Sequence, residues 1–481
     1  MKLTPNIIIL LNATCLLTAC EEEPCTTENT PKASAQSPHR ASAIAWKVFN
    51  EKSFNTEEEK SSFRAGMEGD ISKLETLPIH SLFCINYFCG AALGGQVHII
   101  RQLIEKGIRA RGETILFYAC IGGNREIIDI LLQKGNEPGS GLRGAAYVGN
   151  TELVEYMLSL GANPNEALRP AIAQGHADIV RLALNKGASP KYQLSGAAYT
   201  GNQEIFQLII KSQRRVDEYE INNAMIAAAS GGHLDIVKQL LQMGAADINY
   251  AVEVAAAGKH MEVVEFLLNK GASPADAFIG AANAGDMKLM ERMLLSGATN
   301  CFNEALPQAA EGGHSEVVTY LLQQGATTIN EAFCKAAENG HFDIVQLLLK
   351  KGANASAQEV LSLAALHGYS DIVKLLLEHG ADANQGISEA AAKGQKNIVE
   401  LLLQHGADPN LGIVNAARAG YADILKLLLA QPGADVDKTL NKVTYDYKGR
   451  AQTFLDFAKH LWYQDVVEIA RAAGAKYSHE L

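Results

Sequence analysis

Aromatic side chains make up only 6% of this 481-residue chain, and tryptophan occurs twice. A composition poor in rings and rich in Ala and Leu favours small, interlocking helices. Positive charge is also in short supply, with 42 Lys and Arg against 53 Asp and Glu and a net charge of −11. No basic stripe interrupts this balance, which excludes a nucleic-acid partner, since that binding needs Lys and Arg against many phosphates. Beyond the first twenty residues no apolar run approaches the ~20 residues needed to span a bilayer. The eight cysteines include no CxxC or other paired spacing, so neither a disulfide framework nor a zinc site is expected. Cys84 and Cys89, five apart, would point in different directions from a helix, and are read as small buried hydrophobes. Phosphate loops of the GxxxxGK[ST] kind and nucleophile elbows of the GxSxG kind are missing. The glycine pairs Gly94-Gly95, Gly122-Gly123 and Gly312-Gly313 read as turns between helices. His176, His233, His314 and His341 recur at intervals far longer than the helical spacing that converges on one ion, so no metal or other cofactor is expected.

At the front, residues 1–19 carry Lys2 and an apolar stretch from Ile7 to Ala19, too short to cross a bilayer. Leu17-Thr18-Ala19-Cys20 resembles the lipobox of bacterial lipoproteins, which implies cleavage before Cys20, lipid on that cysteine, and membrane attachment by that lipid alone. A plain signal peptide is the other reading, because Pro5 and Asn12 interrupt the apolar run. Residues 20–44 are Glu-, Thr-, Ser- and Pro-rich, lack the apolar surface needed to order themselves, and read as a tether.

What fills the remainder is one phrase, repeated. KAAENGHFDIVQLLLKKGA (335–353), LAALHGYSDIVKLLLEHGA (363–381) and EAAAKGQKNIVELLLQHGA (389–407) are three copies. Aligned on the central glycine, the copies run Gly69, Gly95, Gly123, Gly149, Gly175, Gly201, Gly232, Gly258, Gly285, Gly313, Gly340, Gly368, Gly394 and Gly420, and all steps but one are 26 to 28 residues. A period in this range means stacked units, none able to bury its apolar face alone. Ahead of the glycine most copies carry Ala-Ala, such as Ala336-Ala337, where a first helix lets its neighbour come close. After it an acidic residue such as Asp343 opens a second helix at the positive end of the dipole. Ile344, Val345, Leu347 and Leu348 form that helix's apolar stripe, and Gly352-Ala353 supplies a left-handed cap.

The unit resembles the ankyrin repeat over roughly residues 60–477. The final unit matches best, with Asp446, Gly449 and the run Thr453-Phe454-Leu455-Asp456-Phe457-Ala458 corresponding to a full finger and first helix. Other copies are about six residues shorter than the family's ~33. Their loss falls between Gly-Ala and the next Ala-Ala, so the projecting finger shrinks to a turn. The resemblance implies an all-α solenoid of about fifteen helix-turn-helix repeats over residues 45–477, capped by residues 435–477, and a non-enzymatic scaffold that holds a protein partner along its concave groove. Gly201 to Gly232 spans 31 residues, with Lys211-Ser212-Gln213-Arg214-Arg215 and Glu218-Tyr219-Glu220 inside it; it reads either as a tolerated bulge or as a hinge or partner-contacting loop.

Residues two and five before each glycine lie one turn apart on the first helix and, with short fingers, are expected to face the groove. They give an apolar strip in the N-terminal half, Leu93, Tyr118, Ile121, Tyr147 and Tyr199. In the C-terminal half they give a charged strip that includes Glu253, Asn283, Gln308, Glu311, Lys335, Glu338, Glu389, Asn415 and Arg418. The alternative for the tyrosines is that they fill space between helices. Taken together, these features describe a binder lipid-tethered at Cys20 in a bacterial envelope. The competing reading is a bacterial effector secreted into a host cell, where it acts on a host protein.

Overall fold

A computed structural model describes residues 57–76, 82–108, 112–355, 359–445, 451–458 and 464–480. Cys20, the signal-like residues 1–19 and the tether 20–44 lie outside them. Thirty α-helices occur among the described residues, numbered here from α1 (Glu57–Glu68) to α30 (Gln464–Ala472). They form fifteen pairs, an odd-numbered first helix and an even-numbered second helix in each repeat. First helices of successive repeats lie in extensive contact, whereas second helices touch their counterparts sparsely, so the first helices form the inner side of the stack. Among the described residues no helix is long and apolar enough to cross a membrane.

Close approach on the inner side follows from side-chain size. In α21 (Ile329–Glu338), Ala332, Phe333, Ala336 and Ala337 are buried, and the alanine pair sits where the neighbouring first helices press in. In α22 (Phe342–Lys350) the buried stripe is Ile344, Val345 and Leu348, with Asp343 in the first turn and Lys350 in the last. Towards the N-terminus glycine takes alanine's place. A Cβ on Gly66 of α1 would strike the Tyr87 carbonyl of α3 (Leu82–Leu93), and one on Gly90 would strike the Phe63 carbonyl in return.

At most repeats the central glycine has two reasons to be glycine. Its φ is positive, +76° at Gly149 for example, a conformation that costs an L-residue roughly 1–2 kcal/mol. It also lies under a side chain from the next repeat. The residue just after the following central glycine reaches back, and its ring or amide covers this one. His176 Nε2 donates to the Tyr147 carbonyl at 3.2 Å, His233 to Tyr199 at 2.8 Å, His260 to Ser230 at 2.9 Å and His341 to Glu311 at 2.9 Å. Gln96 makes the equivalent bond to Met67 at 3.1 Å. Where Asn or Asp stands there instead, its side chain caps its own second helix, as Asn150 does for the Leu153 amide at 3.0 Å and Asp286 for Leu289 at 3.0 Å. The recurring histidines are therefore bonded to the backbone, and among the described residues no His, Cys, Asp and Glu cluster could hold a metal ion.

One copy corrects the sequence alignment. Gly258 has φ −77°, and it is Lys259, at +58°, that takes the left-handed position, followed by His260 over Gly232. The central position of that repeat is residue 259, because the position of the reaching histidine sets the turn.

A second ladder replaces the lost fingers. Asn165 Oδ1 accepts from the Ser189 amide at 2.8 Å, Asn222 from Ala246 at 2.7 Å, Asn249 from Ser273 at 2.9 Å, Asn384 from Asp408 at 2.8 Å and Asn410 from Asp435 at 2.7 Å. Each bond ties the first helix of one repeat, or at Asn384 the 3-10 turn leading into it, to the turn of the next repeat. The final unit keeps its finger, a ribbon pairing Thr444–Tyr445 antiparallel with Ala451–Gln452 ahead of α29 (Phe454–Ala458). Burial alone would raise the Asp456 carboxyl, but bonds from Thr453 and the Ser478 amide hold it well below the usual carboxylate range. Cys84, Cys89, Cys120 and Cys301 are buried free thiols.

Candidate functional site

Burial along a first helix selects its outward positions. Counting back from the left-handed residue, positions three and four are the buried alanines, while two, five and six are mostly half-buried or exposed. In α21 these are Glu338, Lys335 and Cys334. One further turn back, position nine also opens to solvent. The inner surface of the stack is built from these four columns.

Of the apolar strip expected in the N-terminal half, the structure removes three members. Leu93, Tyr118 and Ile121 are only 2%, 7% and 4% exposed. The glycines of α1 and α3 draw these helices so close that the larger side chains fill the joint. Tyr118 stands edge-on to Phe63 at 5.2 Å, and burial pushes its hydroxyl well above the usual range. Tyr147 and Tyr199 are half-buried, and Ala173 at the equivalent position between them breaks any continuous apolar strip.

The charged strip stays on the surface and is connected from repeat to repeat. Asn283 Nδ2 donates to Gln308 Oε1 at 3.2 Å. Lys335 Nζ lies 3.0 Å from Glu311 and 3.7 Å from Glu338. Burial would lower the Lys335 ammonium, but the two carboxylates outweigh it and hold its pKa above the ordinary lysine value. Arg418 is exposed further along, and Asn415 donates to Ser388 Oγ at 2.6 Å.

Counting by two and five missed the column nine back, where Asp276, Glu304, Glu331 and Glu359 occupy four successive repeats and Tyr250 precedes them. Only an alignment carried one turn earlier along the helix finds it. These acids are felt by their neighbours. Burial, with Asp276 adding to it, pushes the Glu253 carboxyl up to about 7. The fold thus favours protonated Glu253, and that stabilisation, complete below the ordinary carboxyl range, is lost as pH rises to about 7. Burial raises the Tyr250 hydroxyl with help from Glu253 and Glu311, and raises the Cys334 thiol with help from Glu359, Glu338 and Glu331. From α15 (Ile248–Ala257) to the start of the helix after α21, Lys335 is the one cation among seven carboxylates in these columns: Glu253, Asp276, Glu304, Glu311, Glu331, Glu338 and Glu359.

An extended, charged inner face of stacked helix pairs is the architecture of a helical-repeat interaction scaffold. The family model for ankyrin repeats matches residues 84–140, 194–278, 278–359, 306–387, 333–413 and 361–439. The chain belongs to the ankyrin-repeat family, whose members bind protein partners. No curated protein matches it.

Proposed function

We propose that this scaffold holds a protein partner by a basic segment laid along the inner face between Glu253 and Arg418, and that lipid at Cys20 tethers it to a bacterial envelope. The observation that carries the first half is the crowding of carboxylates around Glu253 and Lys335, where burial makes the field of a missing counter-charge strong. A partner's Lys or Arg would complete it. The retained members of the expected strip, Asn283, Glu311, Lys335, Glu338 and Arg418, line the path, with Tyr147 and Tyr199 as its outlying apolar points.

The test is affinity capture with the full chain. Glu311→Lys with Glu338→Lys should reduce capture about ten-fold or more, while Asp178→Lys with Glu262→Lys on the second helices leaves it unchanged. Equal capture by both double variants would place the partner elsewhere.

For the tether, metabolic palmitate labelling should mark the wild type. Cys20→Ser should lose the label and leave the membrane fraction. A Cys20→Ser protein that stays labelled and membrane-bound rules out the lipid reading, and secretion into a host cell then becomes the stronger alternative.

A further inference from the structure

The irregular 31-residue step adds a stretch of chain that no helix holds. α12 (Gln203–Lys211) runs out through Ser212 and Gln213, whose amides donate to the Leu208 and Ile210 carbonyls, both at 3.1 Å. α13 (Glu218–Ser230) begins after Asp217, which caps it by accepting from the Glu220 amide at 2.8 Å. Between these ends Arg214, Arg215 and Val216 make no hydrogen bond, as donor or acceptor, to other backbone among the described residues. Arg214 and Arg215 are both exposed, and neither forms an ion pair with Asp217, Glu218 or Glu220.

Every other arginine among the described residues lies within a helix. There a protease can reach the side chain but not the peptide bond, because its cleft takes an extended chain and the helix must open first. Exposed segments free of backbone bonds are where nicking concentrates. The repeats on either side do not depend on this loop for their contact. Glu220 is 4% exposed and its Oε1 accepts from the Tyr192 amide at 3.1 Å, while Gln207 Nε2 donates to Gln239 Oε1 at 2.8 Å. With His233 over Gly201 and α11 (Leu194–Tyr199) in extensive contact with α13, the joint stays closed if the loop is cut.

We propose that the Arg214-Arg215 pair is a processing site, cut by an endoprotease whose primary pocket takes arginine, and that the cut divides the array into two pieces that stay stacked. Water adds across the Arg215–Val216 peptide bond, leaving a carboxylate on Arg215 and an ammonium on Val216, with no other co-reactant. Asp217 and Glu218 follow the broken bond, so the arginine pocket meets neither. On the tether and inner-face readings above, the cut separates Cys20 from every carboxylate between Glu253 and Glu359, and the binding face loses its covalent link to the tether. That consequence rests on those readings, whereas the cut itself does not.

The test treats the native full chain with the arginine-specific endoprotease clostripain and reads new amino termini by mass spectrometry, with a synthetic peptide of residues 209–220 as control. A terminus at Arg215 or Val216 should appear about 100-fold or more faster than one after the exposed but helical Arg181 or Arg292. The two pieces should elute together in gel filtration and part only in urea. Arg214→Gln with Arg215→Gln should abolish that terminus and leave the melting temperature unchanged. The proposal is overturned by a native chain that keeps both bonds while the peptide is cut, or by a peptide that resists. Cutting after Arg181 at the same rate, or pieces that separate without denaturant, would overturn it as well. Partner capture enters none of these readouts, so failure of the inner-face reading would show separately.

Discussion

Gly149→Ala is expected to destabilise the array by about 2–4 kcal/mol, read as a fall in the urea midpoint of the repeats around it. Two costs add. The backbone at φ +76° costs an alanine roughly 1–2 kcal/mol, and the new Cβ would lie 2.6 Å from His176 Cε1 and 2.8 Å from its Nδ1. To make room the ring must move, which gives up its bond to the Tyr147 carbonyl. Gly161→Ala is the control. Its φ is +90°, but nothing lies within 4 Å of the added carbon, so only the backbone cost of about 1–2 kcal/mol applies. Adding His176→Ala to Gly149→Ala should relieve the clash and leave the backbone cost together with the lost bond to the Tyr147 carbonyl. Equal midpoints for Gly149→Ala and Gly161→Ala would show that the covering ring yields freely.

Gly280→Ala tests the inner side, and here two effects oppose. Gly280 lies within α17 (Pro274–Ala284), where alanine is favoured over glycine by about 1 kcal/mol. Its new Cβ would run into the Glu253 carbonyl of α15 and lie 2.9 Å from Ala256 Cβ. Both obstacles belong to or adjoin a helix backbone that is packed on its far side too, so relief requires the helices to part. Overpacking of this kind costs about 1–3 kcal/mol, occasionally more, and should outweigh the propensity gain. The expected result is a net loss of about 1–3 kcal/mol, with hydrogen exchange quickening in the repeats of α15 and α17 together. A stabilised variant would mean that the first helices have slack between them.

The repeat fold was legible because its glycines are fixed twice over, by φ and by the covering side chain, so their period survives in the letters. The alanine pairs were legible for the same reason, since only small residues fit between first helices. Failures came where a position's meaning depends on the neighbouring repeat. Leu93, Tyr118 and Ile121 share a column with Glu311 and Lys335, and only the glycines of the adjoining helices decide that the first three are buried. Gly258 drew the alignment one residue off, although His260 held the correct register. The asparagine ladder stands ten residues before the left-handed position, as Asn165 does before Gly175 and Asn249 before Lys259. It escaped notice because only the motif nearer the glycine was aligned and Gly258 set one copy a residue off. Tyr192, at φ +65° with its amide donating to Glu220 28 residues away, gave no sign in the sequence.

Where a histidine follows the central glycine, as at His314 and His341, each such repeat fastens itself to the one before by the same contact. Removing residues 314–340 would join Gly313 to His341, the same pair of residue types that meets at Gly313 and His314, and would set His341 over Gly285 in place of His314. The contact of histidine on glycine at the junction would be the same as the one it replaced. A gene encoding such a chain can gain or lose a whole unit in one step, and so change the reach of its inner face, while keeping the glycine-and-histidine contact at the join. The helices brought together there would meet new neighbours, as the loss of Lys335 from beside Glu311 shows.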